Sequence, residues 1–398
     1  MAPPLLAGIR VIDATAVVLG PYASQILADM GADVIKLEPP RGDMARHIPP
    51  TRSPAMGATF LTTNRNKRSL ALDLKAPGAH AALLRLVTGA DVFLHNMRAA
   101  AIEQLGLGYA RLRQANQRLI YCAAWGFGHD GPYAGQPAYD DIIQALSGAA
   151  DLEARLHGEP GYMPSLIADK VTGLTVAYAI AMALFARERT GRGVAIEVPM
   201  LETMAGFFMT EHLSAATYAD GDGKAGYRRQ LIARGPYRTA DGHIAALPYS
   251  RKNWTRFFEA VGRPDLAADP RVTDDDRRSH AIAELYAILA DILPTRSSAE
   301  WLALFRRLDI PAAPMNTLDS VLDDPHLAAT GFFLHMTHPS EGAIRMPGIP
   351  VRVDGEKGEV RRPAPRLGEH TREVLVEAGL SAAEVDALCR SGAAVDGA

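Results

Sequence analysis

Short apolar runs separated by helical spacings organise the first half of the chain. After Gly8, the stretch Ile9-Arg-Val-Ile-Asp13 has the pattern of a short strand; Ala23, Ile26, Leu27 and Met30 then repeat at helical intervals behind Gly20-Pro21, and Gly31 ends the helix. Residues 34–37 supply a second strand within the span of one βαβ crossover. The unit recurs: 69–74 and 92–94 read as strands around a helix from about 77 to 87, and 118–123 adds another strand. Alternation of this kind predicts an α/β fold, a doubly wound, Rossmann-like parallel sheet. Segments 138–149, 170–187 and 199–216 have helical spacing.

The pattern changes at Asp220-Gly-Asp-Gly-Lys224, a polar stretch suited to a domain boundary. Residues 236–247 resemble a hairpin around Ala240-Asp241-Gly242, and helical stretches occupy 252–307, which together predict a smaller α+β domain. We therefore expect a large domain over 1–205, to which 325–398 returns as a helix pair, and a small domain over 225–320. The charge run Asp274-Asp275-Asp276-Arg277-Arg278 reads as a helix start, with acids at the positive end of the dipole.

The most apolar stretch, 174–186, is bounded by Lys170 and Arg187, shorter than a bilayer span of roughly 20 residues. It predicts a helix buried on most of its faces. No basic, apolar leader pattern opens the chain, so a cytoplasmic location is the expectation. The net charge of -3 over 398 residues gives no general attraction to nucleic acid or to an anionic membrane, so any bound anion needs a local basic site. Two cysteines, Cys122 and Cys389, are too few for a disulfide framework and lack the spacing of a zinc site; no metal is expected. A dinucleotide reading of the first strand-turn-helix fails because residues 16–23 contain only Gly20 and no GxGxxG set.

Asp169, in Ser165-Leu-Ile-Ala-Asp-Lys-Val-Thr-Gly173, stands at the start of the apolar helix. Its plain reading is an N-cap. A carboxylate held in one orientation there can also act as a covalent nucleophile on an activated acyl group. The two roles are compatible.

Asp169 has company. Gly8-Ile-Arg-Val-Ile-Asp13, Gly20-Pro-Tyr-Ala23, Gly31-Ala-Asp-Val-Ile-Lys-Leu-Glu38 with Gly42-Asp43, Asn66-Lys-Arg-Ser69, Leu72-Asp-Leu-Lys75 and His95-Asn-Met97 precede it. Leu105-Gly-Leu-Gly108, Tyr139-Asp-Asp-Ile-Ile-Gln144, Thr190-Gly-Arg-Gly193 and Leu367-Gly-Glu-His-Thr371 complete the series. In this order the segments resemble the family III CoA-transferases (CaiB/BaiF type), which include formyl-CoA transferase and carnitine CoA-transferase. The resemblance implies coenzyme A as substrate, transfer between an acyl-CoA donor and a carboxylic acid acceptor, and a covalent intermediate on Asp169. It also implies an interlocked homodimer. By the same resemblance, Val18, Leu72, Asp73, Leu74, Lys75, Asn96, Met97, Arg98, Gln104, Ala138 and Tyr139 contact the cofactor. Without the motif, Lys75 and Arg98 read as solvated surface charges, and Leu72 and Met97 as core.

The chain departs from the family pattern in places. Gln104 stands where many members have arginine, Ala99-Ala100 replaces a Pro-Gly turn, and no glycine run lies between Gly221 and Ser250. Pro248-Tyr-Ser-Arg-Lys252 is the candidate replacement, giving acceptor choice to Tyr249, Ser250 and Arg251, while Arg228, Arg229, Arg234 and Arg251 are candidate cations for the second carboxylate of a dicarboxylic acceptor. The related α-methylacyl-CoA racemases resemble a His-Asp pattern where this chain has Tyr139-Asp140, and tyrosine is a poor proton carrier near pH 7. His129, in the turn Gly128-His-Asp-Gly131, reads as a surface residue. CoA-transferase, CoA-ester racemase and silent acyl-CoA binder are thus the three classes, in that order.

Overall fold

The computed structural model describes residues 3–221, 223–226 and 234–397. They form two compact units: Met1–Phe208 with Ala329–Ala398, and Met209–Ala328.

In the first unit, β1 (Arg10–Ala14), β2 (Asp33–Glu38), β3 (Lys67–Leu72), β4 (Val92–His95), β5 (Ile120–Trp125) and β6 (Ala195–Pro199) form one parallel sheet in the order 3-2-1-4-5-6. Ala394–Val395 of the tail adds an antiparallel strand beside β3. This is the doubly wound order, which reverses between β1 and β4. Strand residues alternate between two buried faces. Ile12, Ile35, Leu70, Phe93 and Tyr121 join one core, while Val11, Val34, Val92, Leu94, Ile120 and Cys122 join the other. Helix α1 (Leu19–Asp29) returns from β1 to β2 across the second face. Further helices are α2 (Ala58–Thr63), α3 (Ala79–Thr88), α4 (Ala99–Gln104), α5 (Tyr109–Ala115), α6 (Asp140–Leu146), α7 (Ala149–His157), α8 (Ile167–Thr190) and α9 (Met200–His212). The tail closes with helices Thr371–Glu377 and Ala382–Arg390, which pack on the first face.

The same alternation puts Asp13, Lys36 and Lys67 on the α1 face, where all three are fully buried. They survive there by pairing. Lys67 Nζ reaches Asp13 at 3.0 Å, Asn64 Oδ1 at 2.8 Å and the Pro21 carbonyl at 2.9 Å; Lys36 Nζ reaches Asp43 at 2.8 Å. Burial alone would raise the Asp13 carboxyl, but Lys67 and Lys36 hold it well below the usual carboxylate range. Burial drives Lys67 down to about 8 against the pull of Asp13.

Helix α8 differs from expectation. It begins at Ile167, earlier than residue 170, and runs 24 residues, and among the described residues it is the one helix long and apolar enough to cross a membrane by length and composition. Nor is it buried on most faces: Thr172, Gly173, Val176, Ala177, Ile180 and Leu184 are buried, whereas Leu174, Tyr178, Met182 and Phe185 are 49 to 65% exposed. Its buried side packs on α1 through Gly173, where a Cβ would stand 2.8 Å from the Leu19 carbonyl oxygen and 3.1 Å from the Tyr22 ring. Only glycine permits that crossing.

The second unit carries the small antiparallel sheet β7 (Tyr237–Arg238), β8 (His243–Ala246) and β9 (Ala312–Pro314), with the hairpin turn at Ala240-Asp241-Gly242. Helices Arg251–Ala260, Asp275–Ile292 and Ser298–Leu308 surround an aromatic core of Trp254, Phe257, Phe258, Tyr286, Trp301 and Phe305. The acidic run is a helix start, as its charge order implies: Asp274 accepts the amides of Asp276 and Arg277.

Candidate active site

The strand order reverses between β1 and β4, and in open α/β sheets the crevice beyond the carboxyl ends of such a pair is where ligands bind. A cavity of about 310 Å³ lies there. Ala16–Leu19 follow β1, Asn96–Ala99 follow β4, and Ala124–Phe127 end β5; Met44, Gly135–Tyr139, Met200 and Asp169 complete its wall. The first unit alone supplies every one of these residues.

Asp169 is not the N-cap. Leu166 occupies that position without a side-chain bond, and Asp169 lies in the first turn of α8, where its charge still benefits from the helix dipole. The capping carboxylate comes from elsewhere in the chain: Asp140 Oδ1 accepts the Asp169 amide at 3.0 Å. Gln144, one turn further along α6, donates to Asp140 Oδ2 at 2.6 Å and accepts the Met163 amide at 2.9 Å. Asp140 and Gln144 thus tie α6 to the loop before α8 and set the direction of the Asp169 backbone. Burial, and then the neighbouring charge of Asp140, push the Asp169 carboxyl up to about 7.

Opposite lies a strained backbone. Val17 has φ of 71°, in the left-handed region that a β-branched residue enters only at a cost of about 1–3 kcal/mol. Its amide donates to Asp43 Oδ1 at 3.0 Å, and Asn96 clasps Ala16 from both sides, accepting its amide at 3.0 Å and donating to its carbonyl at 2.9 Å.

Of the residues expected to contact CoA, Val18, Asn96, Met97, Arg98, Ala138 and Tyr139 line this cavity with Asp169. Leu72, Asp73, Leu74, Lys75 and Gln104 do not. Leu72 is a core residue, 1% exposed and paired with Ala394, so it offers only backbone to a ligand. Lys75 and Gln104 are exposed, and Asp73 Oδ1 accepts the Lys75 amide. The Asn96 side chain is engaged by Ala16, which makes it a clasp for the loop. Among the described residues, Arg98 is the one cation on the cavity wall.

Of the acceptor candidates in the second unit, two make local bonds. Ser250 caps the helix Arg251–Ala260 in a capping box with Asn253, and Arg251 donates to the Thr273 carbonyl, so both side chains serve local structure. The Arg234 guanidinium lies over the rings of Tyr249 and Tyr286 at 5.8 and 5.4 Å. Arg228 and Arg229 lie outside the described residues. His129 is at the surface, paired with Glu197. Among the described residues no group of three or more potential metal ligands comes together.

Sequence reasoning missed Asp140, Gln144 and Asp43 as parts of the site. The spacing of Asp140 and Gln144, four apart in a helix, was the available signal. Asp43 had none beyond its place in the Gly42-Asp43 pair.

The model for CoA-transferase family III matches residues 6–371. Succinyl-CoA:mesaconate CoA-transferase of Haloarcula hispanica is 34% identical over 384 residues, covering 94% of this chain and 96% of the relative. Succinyl-CoA:glutarate CoA-transferase of Mus musculus is 32% identical over 379 residues, covering 94% and 86%. A CaiB/BaiF family protein from Brucella suis superposes with a TM-score of 0.80 at 29% identity, over 95% of this chain and all of that one. The chain belongs to CoA-transferase family III and is an enzyme of that class.

Proposed function

We propose that this family III CoA-transferase moves coenzyme A from an acyl-CoA donor to a small dicarboxylic acid, with the Asp169 carboxylate as covalent nucleophile. The reading rests chiefly on one observation: Asp169 is a half-buried carboxylate in the wall of the cavity at the sheet's switch point, with its backbone held by Asp140. Relatives named for glutarate and mesaconate support a dicarboxylic acceptor.

In the first step an Asp169 oxygen attacks the thioester carbonyl, the C–S bond breaks, and CoA leaves as thiolate with the electron pair, giving a mixed anhydride. The thiolate then attacks the aspartyl carbonyl carbon and releases the donor acid as its carboxylate, leaving an aspartyl-CoA thioester. The acceptor carboxylate attacks that thioester, expelling the thiolate and forming a second anhydride. Attack of the retained thiolate on the acceptor carbonyl yields the new acyl-CoA and regenerates the Asp169 carboxylate. No proton is transferred in the balance, so the protein's work is to hold the carboxylate, retain CoA and stabilise each tetrahedral oxyanion with backbone amides. Arg98 is the candidate partner for a CoA phosphate.

A second part of the proposal concerns assembly. Leu174, Tyr178, Met182 and Phe185 form an exposed apolar stripe along α8, the kind of surface a partner covers. We assign it to an interlocked homodimer, expected as a single dimeric species by light scattering; a stable folded monomer would refute it.

The test of the chemistry is intact-protein mass spectrometry after mixing with succinyl-CoA and quenching with hydroxylamine, for wild type and Asp169→Ala. Modification mapped to Asp169 in the wild type alone supports the covalent mechanism. A wild type that turns over with a panel of acyl-CoAs yet never carries an adduct at Asp169 overturns it.

A further inference from the structure

Four residues join β1 to α1, and the backbone of the first three is held by side chains. Lys36 Nζ donates to the Thr15 carbonyl at 3.0 Å, and Asp13 Oδ1 accepts the Thr15 amide at 3.0 Å. Asn96 clasps Ala16 at both its amide and its carbonyl, and Asp43 accepts the Val17 amide. Val17 sits in the left-handed region, and a β-branched residue persists there only when its surroundings over-determine it. The Val18 and Leu19 amides that follow have no acceptor among the described residues, and both residues line the cavity that Asp169 lines.

Asp43 is itself held firmly. Its Oδ2 pairs with Lys36 at 2.8 Å, its amide donates to Glu38 Oε2 at 3.0 Å, and Arg46 grips Glu38 with two bonds of 2.7 Å. Ser69 of β3 donates to Glu38 Oε1 at 2.8 Å. Every member of this set is buried, with three carboxylates (Asp13, Glu38, Asp43) facing three cations (Lys36, Arg46, Lys67). A fold that needed only a turn after β1 would have no use for so costly an arrangement, since buried pairs of this kind often contribute little net stability. What the set achieves is one backbone conformation beside the nucleophile.

We propose that Asp43 and Asn96 are positioning residues for CoA transfer: from the loops after β2 and β4 they hold Val17 in its left-handed conformation and so fix the backbone of Ala16–Leu19 beside Asp169. This rests on the reading of Asp169 as nucleophile. Neither side chain touches the reacting atoms in this role; both act through the backbone of the β1–α1 loop.

The decisive experiment is a rescue. Glycine adopts positive φ without steric cost, so Val17→Gly removes the need for a device that enforces it. Asp43→Ala is expected to lower kcat on the order of 10- to 100-fold, as misplacement of a catalytic segment does, while KM for the acyl-CoA changes less than about threefold. Adding Val17→Gly to Asp43→Ala is expected to raise kcat by roughly fivefold or more over Asp43→Ala alone. Asp43→Asn keeps an oxygen acceptor for the Val17 amide and is expected to retain more kcat than Asp43→Ala. If Asp43→Ala does not fold, the same pair of measurements on Asn96→Ala, with and without Val17→Gly, decides. The proposal is overturned if the folded alanine variants keep wild-type kcat, or if Val17→Gly leaves their kcat unchanged or lower. Acyl-adduct mapping on the wild type separates the two readings: rescue by Val17→Gly without any adduct at Asp169 removes the nucleophile and keeps the positioning role.

Discussion

Asp140 Oδ1 accepts the backbone N–H of Asp169 at 3.0 Å, so the residue that orients the proposed nucleophile also places a negative charge beside its carboxyl. The Asp169 carboxyl, raised first by burial and then by that charge, sits at about 7. In the proposed mechanism attack requires the carboxylate, so kcat/KM is expected to rise with pH through about 7 and level off above it. Asp140→Asn keeps an oxygen for the amide but removes the charge, which lowers the Asp169 pKa. The acid limb of the pH–rate profile should therefore move to lower pH, and an unmoved limb would show that it belongs to another group.

The same shift has a consequence for stability. A carboxyl whose folded pKa lies above its unfolded value binds the proton more tightly in the folded state, so stability falls as pH rises from about 4 to about 7 and stays reduced above that. Asp169→Asn removes the penalty. The variant should be more stable than wild type at pH 8, on the order of 1–3 kcal/mol after allowance for partial exposure, and nearly equal to it at pH 4. Denaturant titrations at the two pH values measure the difference, and a variant destabilised at pH 8 would contradict the assigned ionisation.

At the crossing of α1 and α8, Gly173 leaves no room for a side chain, since a Cβ would lie 2.8 Å from the Leu19 carbonyl. Backbone cannot yield as a flexible side chain can. Gly173→Ala is expected to cost about 1–3 kcal/mol, to lower the melting temperature, and to reduce kcat because the helix that carries Asp169 must shift away from the β1–α1 loop. Thermal unfolding combined with steady-state turnover checks both halves. A variant with wild-type melting and turnover would mean that the helices separate without consequence for the site.

The parallel sheet was legible because its strands are short apolar runs bounded by glycines, and β1, β2, β4 and β5 all fall within a few residues of their expected places. The place of Asp169 at the start of a long apolar helix was legible from the same apolar patterning, but the N-cap expected there falls to Leu166. The polar neighbours were not legible. Asp13, Lys36 and Lys67 look along the chain like the outward positions of half-buried strands, and only the pairing of three strands reveals that they point into the core at each other. Leu72, which the motif singled out, has its side chain in the core on one face of the sheet, while its backbone pairs with the tail strand at Ala394. The exposed stripe on α8 escaped because composition measures how apolar a helix is and says nothing of how many of its sides have neighbours. Val17 is the hardest case: its left-handed backbone depends on acceptors at Asp43 and on its neighbour's clasp by Asn96, 26 and 80 residues away in the chain, and valine carries no local signal for it.

The buried pair of Asp13 and Lys67 lends itself to a mutant cycle. Both side chains are fully buried, and Asp13 also accepts from Ser24 at 2.6 Å, so its removal strands a lysine in the core and a hydroxyl beside it. Asp13→Ala is expected to destabilise the protein by about 3–5 kcal/mol, because the uncompensated charge costs more than the pair contributes. Lys67→Met should cost a comparable amount by leaving Asp13 facing Lys36 alone. Replacing both, Asp13→Ala with Lys67→Met, removes the two charges together, and the loss should then be smaller than the sum of the single losses by about 2 kcal/mol or more. Denaturant unfolding of the four proteins gives the coupling energy. Additive losses would show that the two groups are held by their other partners, Ser24 and Thr15 on one side and Asn64 and the Pro21 carbonyl on the other, and that the ion pair contributes no coupling of its own.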